Sequence, residues 1–257
     1  MNRQWRDAII YDAKKHYLAI QDINDAEVKI RYESEILGVP TAVIDDIVGL
    51  RSGDVSTARL RGFLAGISAA LRLPPAKGFS FSDAVGSLLP RVVSQQFLTG
   101  YRLASGVSLF GLPLADGLVA VYVVEGDYVY SYLTQPRVEM WGVTDDRVSY
   151  AARSNLYHTT IRNEPVVFRM PVTHHRYQRE DGFDSGRVLL LNDIFWNQVD
   201  AGIYFAVPSE DITLIVESCP PNELDLLKQD VVSLFEAAVH PVSPLLYYQE
   251  KKMIQVV

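Results

Sequence analysis

Between Val172 and Arg187 the chain gathers side chains able to do chemistry: His174, His175, Asp181, Asp184 and Arg187. Two chemistries fit these types. Imidazole nitrogens and carboxylate oxygens are metal ligands. Adjacent histidines in extended chain point to opposite sides, however, so at most one easily joins a common cluster. His158 adds a third nitrogen only if the fold brings it close. We assign the chain no metal and no cofactor. The second chemistry is acid–base work by Asp181 and Asp184, with Arg187 holding an anion. His175 and Asn155 complete this candidate ligand-binding set.

The same residues have a plain structural reading. Asp181-Gly182 is a turn dipeptide. Asp184 is placed to cap a following helix, and Arg187 one turn later can pair with either carboxylate. Nucleophile patterns are missing: the sequence holds no Gly-x-Ser-x-Gly elbow, no Gly-x-x-x-x-Gly-Lys phosphate cradle and no paired-cysteine zinc motif. Cys219, beside Pro220 and Pro221, reads as a buried bystander thiol.

The elements that must position this turn follow from periodicity. Val188 to Leu191, Ile194, Phe195, Trp196 and Val199 are apolar nearly all round, which predicts a central buried helix entered through the acidic turn. Upstream, Trp5, Ala8, Ile9, Asp12, Ala13 and Tyr17 predict an amphipathic helix. Val28, Ile30 and Tyr32 alternate with Lys29 and Arg31 as a half-buried strand, followed by an extended piece at Thr41 to Ile44. Ser56 to Leu73 is the clearest helix. It bears an apolar stripe and a small-residue stripe of Gly62, Gly66 and Ala70, which means either packing within the chain or a homodimer seam.

Pro74 to Phe79 is the best linker candidate, and Ser80 with Asp83 resembles a capping box. Val85 to Val93 continues as a helix kinked at Pro90, and Ser94 to Asp116 reads as strand fragments and loop. Leu118 to Glu125 and Tyr128 to Thr134 predict a hairpin turning at Gly126-Asp127, with Tyr130 opposite Val123 and Tyr132 opposite Val121. Its tyrosine ladder is either a covered sheet face or a stacking platform. Thr144 caps a helix through Leu156; Val166 to Val172 is a strand, and His174 to Glu180 a polar loop. Ile203 to Val207 and Ile212 to Val216 form a hairpin, a helix covers Leu224 to Ala238, and edge strands end the chain at Leu245 to Tyr248 and Met253 to Val257.

The totals bound the class. In 257 residues, 48% hydrophobic content is enough to bury a core without disulfides or metal. The net charge of −7 disfavours nucleic acid and anionic membrane as partners. One cysteine, no apolar leader and no run of the length needed to span a bilayer point to a soluble cytoplasmic protein. The expected fold is α+β, with mixed or antiparallel sheets, packed helices, and an α-β-β-α arrangement in both parts. The expected domains are 1–75 and 80–257, or one continuous domain.

Four pieces in order carry a family resemblance: the hairpin Leu118–Leu133 with its tyrosine-rich second strand; Ala152, Asn155 and Leu156; Asp181 to Leu189; and Val207, Pro208 and Asp211. Over roughly residues 117–248 the chain resembles the YtpQ-like proteins, a bacterial domain-of-unknown-function family. It departs from that family's Asp-Gly-Tyr-Asp-Ala-Ser-Arg pattern at Phe183, Ser185 and Gly186. The resemblance implies an α+β fold and a bacterial cytoplasmic origin, and it brings no activity with it.

Three functional readings follow. The first is a non-enzymatic binding or protein-interaction module. The second is a hydrolase acting through Asp181, Asp184, Arg187 and His175, with or without Asn155. The third is a structural homodimer subunit joined at Gly62 and Gly66.

Overall fold

The computed structural model describes residues 3–49, 56–72, 80–126, 130–162, 165–169, 172–179 and 181–257. It is an α+β protein whose strands pair antiparallel. The linker candidate at 74–79, the turn residue Asp127 and Tyr128 lie outside the described residues.

Helix α1 (Arg3–Lys15) buries Ile9, Asp12 and Ala13, as their spacing dictates. Strands β1 (Ala19–Ile23), β2 (Glu27–Tyr32) and β3 (Glu35–Pro40) follow, so this part carries three strands where two were expected. Thr41 to Ile44 is helical rather than extended. Thr41, Ile44 and Val48 fall on one face of α2 (Thr41–Val48), and Pro40 supplies a compatible φ of −55° at its start. Helix α3 (Thr57–Arg72) occupies the expected span.

Ser80 and Asp83 close a full capping box on the short α4 (Phe81–Ala84). A 3-10 turn then leads into β4 (Leu88–Ser94), which replaces the expected kinked helix. The run is apolar on both sides, so periodicity cannot separate strand from buried helix, and Pro90 is tolerated in a strand at a sheet's edge. Helix α5 (Gln95–Ser105) stands where loop and strand fragments were expected.

Strands β5 (Gly111–Ala115), β6 (Leu118–Glu125) and β7 (Tyr130–Tyr132) come next. The β6–β7 register differs from the expected one by two residues: Val123 faces Tyr132 and Glu125 faces Tyr130. The connection is longer than a two-residue turn, and loop length sets register. Helices α6 (Gln135–Trp141) and α7 (Asp145–Thr160) follow. Thr144 is at the N-cap of α7 without a side-chain cap bond, although Asp145 and Asp146 occupy its first turn. The chain continues through β8 (Val166–Phe168) and β9 (His174–Tyr177), the latter a strand where a loop was expected.

The expected central helix is broken. Ser185–Leu190 is a 3-10 turn, and α8 (Leu191–Ile194) and α9 (Trp196–Ala201) are short. Its apolar residues serve more than one neighbour. Val188, Leu191, Phe195 and Val199 join one core, Leu189 also touches a second, and Trp196 is 62% exposed. Strands β10 (Ile203–Ser209) and β11 (Ile212–Val216), helix α10 (Leu224–Ala237), β12 (Leu246–Glu250) and β13 (Met253–Val256) end the chain. Strand β12 lies inside its sheet rather than at an edge.

The chain divides into two units. The first comprises 1–74 with 95–108, and the second 75–94 with 109–257. In the first unit, the three-stranded sheet, α1, α2 and α3 share a core that includes Ile9, Val28, Ile44, Phe63 and Ile67. Helices α3 and α5 meet at glycines. A Cβ on Gly66 would stand 2.1 Å from the Phe97 carbonyl oxygen, and one on Gly100 would stand 2.1 Å from that of Phe63. Gly66 therefore serves packing within the chain.

In the second unit, β4, β6 and β5 pair in that order with β7 also on β6, and a six-stranded sheet runs β13-β12-β10-β11-β9-β8. One row crosses all six strands: Val256, Tyr247, Phe205, Ile215, His175 and Val167. Helix α10 covers the other face, where Leu227 and Val231 pack with Ala206, Leu214 and Leu246.

Candidate functional site

The acidic turn is built into a buried ionic network. Asp181 opens it as an Asx turn, its Oδ1 accepting the Phe183 N–H at 2.9 Å. Arg187, one 3-10 turn on, donates from Nη1 to Asp181 Oδ1 at 2.9 Å and to Asp184 Oδ1 at 2.7 Å, and from Nη2 to Asp181 Oδ2. Asp184 is fully buried and makes no side-chain cap bond. Its Oδ2 instead accepts the Arg179 N–H at 2.6 Å, and its carbonyl accepts the Thr213 hydroxyl at 2.8 Å. The helix-cap expectation for Asp184 is thus corrected. With no long helix to cap, the carboxylate is used by a buried guanidinium, whose desolvation requires it.

A second buried arginine joins from β4. Arg91 donates from Nε to the Gly182 carbonyl at 2.9 Å and from Nη1 to the hydroxyls of Tyr130 and Tyr132, each at 2.6 Å. Its Nη2 pairs with Glu210 in the β10–β11 turn. The described part of the tyrosine ladder is therefore a hydrogen-bonded seat for a cation, and the Arg91 guanidinium also lies 4.9 Å from the centre of the Tyr130 ring. Ser185 ties the same strand down, accepting the Val92 N–H at 3.1 Å. Gly186 is the close approach: a Cβ there would meet the Pro90 carbonyl oxygen at 2.3 Å.

Arg91 and Glu210 were not singled out from the sequence, and Tyr130 and Tyr132 were read as a sheet face or stacking platform rather than as partners of a buried cation. The available signal was a lone arginine within the apolar run Leu88 to Val93, a position that buries a charge unless the strand lies at a surface.

Asn155 and His175 stand apart from this network. Asn155 Nδ2 donates to the carbonyls of Val85 and Leu88 at 2.9 Å each, holding the 3-10 turn to the start of β4. His175 Nε2 lies 2.8 Å from Glu217 Oε1 on the sheet. His174 is buried, points the other way along β9, and stacks on Phe168 at 5.4 Å. Its Nδ1–H donates to the Val172 carbonyl at 2.8 Å, since a carbonyl can only accept, which leaves Nε2 an acceptor without a partner. Cys219 is half-buried rather than buried.

The electrostatics favour the charged forms of Asp181 and Arg91. Burial acts to raise the Asp181 carboxyl, but the Arg187 hydrogen bonds and charge outweigh it and hold Asp181 below the usual carboxylate range. Burial acts to lower Arg91, and Glu210 with the two tyrosine oxygens outweighs it, so the guanidinium stays charged. Burial pushes Tyr132 well up, so its hydroxyl stays protonated. Nucleophilic or base chemistry needs a carboxylate free to accept a proton; Asp181 and Asp184 both spend their oxygens on Arg187 and on backbone amides.

Recesses elsewhere among the described residues include the following two. One of about 400 Å³ is lined by Tyr150, Arg153, Ser154, Tyr157 and Asp193. The other, of about 350 Å³ in the first unit, is lined by Asp46, Ile47, Arg59, Gln95, Gln96 and Thr99. Among the described residues no group of three or more His, Cys, Asp or Glu is placed to hold a metal ion, and no helix is long and apolar enough to cross a membrane. No family model matches the chain, and no curated protein and no solved structure matches it.

Proposed function

We propose that this chain is a non-enzymatic protein-interaction module that receives its partner along the open edge of the six-stranded sheet. The observation that supports this is β8. Val166, Val167 and Phe168 are 60%, 51% and 36% exposed, all apolar, on a strand that ends its sheet. An open apolar edge carries free backbone donors and acceptors and invites pairing. Several other edge strands carry a proline or a charge within them: β4 has Pro90 and Arg91, β5 has Pro113, β1 has Asp22 and β3 has Glu35. The hydrolase reading has less support, because Arg187 and the fold occupy the carboxylates. The homodimer seam at Gly66 has less, because α5 occupies it.

The same proposal sets the chain in the cytoplasm, on its single cysteine, and among the YtpQ-like proteins, on its Asp-Gly-x-Asp stretch. Photo-crosslinking in cells tests the interaction reading. A crosslinker at Val167 is expected to capture a discrete partner, and Val166→Lys with Phe168→Lys to abolish capture while the melting temperature holds. Capture from Tyr150 instead, or none from Val167, overturns it.

A further inference from the structure

Resting on the reading of β8 as a docking edge, we infer that its occupant is an extended acidic peptide segment of a partner protein. The first argument is local charge. Residues 165–169 and 172–179 contain Arg169, Arg176, Arg179, His174 and His175 and no acidic residue, in a chain of net charge −7. Among the described residues, the carboxylates beside these strands already have partners. Glu217 is bonded to His175, and Asp230 of α10 faces Arg176 and His174. Exposed Arg169, next to the last residue of β8, has no acidic partner among the described residues. Half-buried Arg176 lies with its guanidinium 4.3 Å from the centre of the Phe168 ring, and its Nε has no hydrogen-bond partner.

The second argument is geometry. Val166 and Phe168 continue the α10-covered face outward, and Val167 continues the opposite row. An added strand would therefore set alternate side chains against both faces, as in β-strand addition, where backbone bonds give affinity and side chains give selectivity. The third argument is size. A strand of three residues buries far less than the roughly 1,000 Å² that a stable interface between folded copies needs. A short linear segment fits this edge better than a second copy of the chain does.

Three fluorescein-labelled peptides test the inference on the full chain: an alternating Val-Thr core flanked by glutamates, the same core flanked by lysines, and the glutamate version with proline at its centre. Anisotropy reads affinity, and hydrogen exchange reads protection of the 166–168 amides. The glutamate peptide is expected to bind and protect those amides. The lysine peptide should be roughly tenfold weaker, as two charge contacts imply, and the proline peptide should fail. Arg169→Glu, at an exposed position, should reverse the charge preference without unfolding the chain. Equal binding of both charged peptides with 166–168 protected overturns the acidic partner and leaves the docking edge standing. No protection by any peptide overturns both. Protection of 166–168 that appears on concentrating the protein alone, with a doubled mass in sedimentation, overturns the partner in favour of a second copy.

Discussion

Arg91 and Glu210 are far apart in the sequence, and their pairing decides whether the core around the acidic turn is sound. A buried ion pair contributes little net stability, but breaking it strands a charge. Arg91→Met alone, or Glu210→Leu alone, is expected to cost about 3–5 kcal/mol in urea unfolding. The double variant should cost clearly less than the sum, because neither charge is then left buried and unpaired. Asp181 gives a pH signature. Its folded pKa lies below the unfolded value of about 3.9. The stabilisation is therefore present above that value and is lost as pH falls through the folded pKa. Urea midpoints from pH 6 down to 2.5 should fall more steeply for the natural chain than for Asp181→Asn. The pairing of Asp181 with Arg187 was readable because the residues are six apart in one turn. The partnership of Arg91 with Glu210 was not, because β4 and the β10–β11 turn belong to different sheets and meet only through tertiary packing.

Local pattern was reliable for α1, which has one buried face, and also for α3 and the β10–β11 hairpin, which are buried all round but carry helical spacing or a clear turn between strands; it failed at β4 and over 185–201. Apart from Arg91 and Ser94, strand β4 and the run Val188 to Leu191 are apolar on every side, so nothing in their periodicity distinguishes strand, 3-10 turn and helix. Gly100 lies in the stretch read as strand fragments and loop, and it is instead half of a helix crossing. Gly66→Ala and Gly100→Ala are each expected to destabilise by about 1–3 kcal/mol, since backbone on the facing helix must give way. Gly86→Ala, with nothing within 4 Å of its Cβ position, should change the melting temperature far less. His174 ties element to pH. Burial lowers its folded pKa, with the Val172 carbonyl and Asp230 opposing and Arg176 and His175 adding to the shift. Stability from the neutral ring is thus present above the unfolded value of about 6.5 and is lost as pH falls through the folded pKa. Hydrogen exchange at β8 and β9 should rise on going from pH 7 to pH 5, after correction for intrinsic rates, and His174→Phe should flatten that rise.

At the scale of the molecule, the chain passes between its two units three times, so neither unit is one continuous stretch. The first unit lacks α5 unless residues 95–108 are present. A fragment 1–74 is expected to melt without cooperativity, whereas the same fragment joined by a short linker to 95–108 should give a sigmoidal transition by circular dichroism. The interleaving also bears on manufacture at the ribosome. The Val92 amide waits for the Ser185 hydroxyl, 93 positions later. At about 5–20 residues per second that delay is roughly 5–20 s. Throughout it the greasy segment Leu88–Ser94 has left the exit tunnel without its final cover, so a nascent-chain chaperone has more to shield here than at any stretch whose companions are close in line.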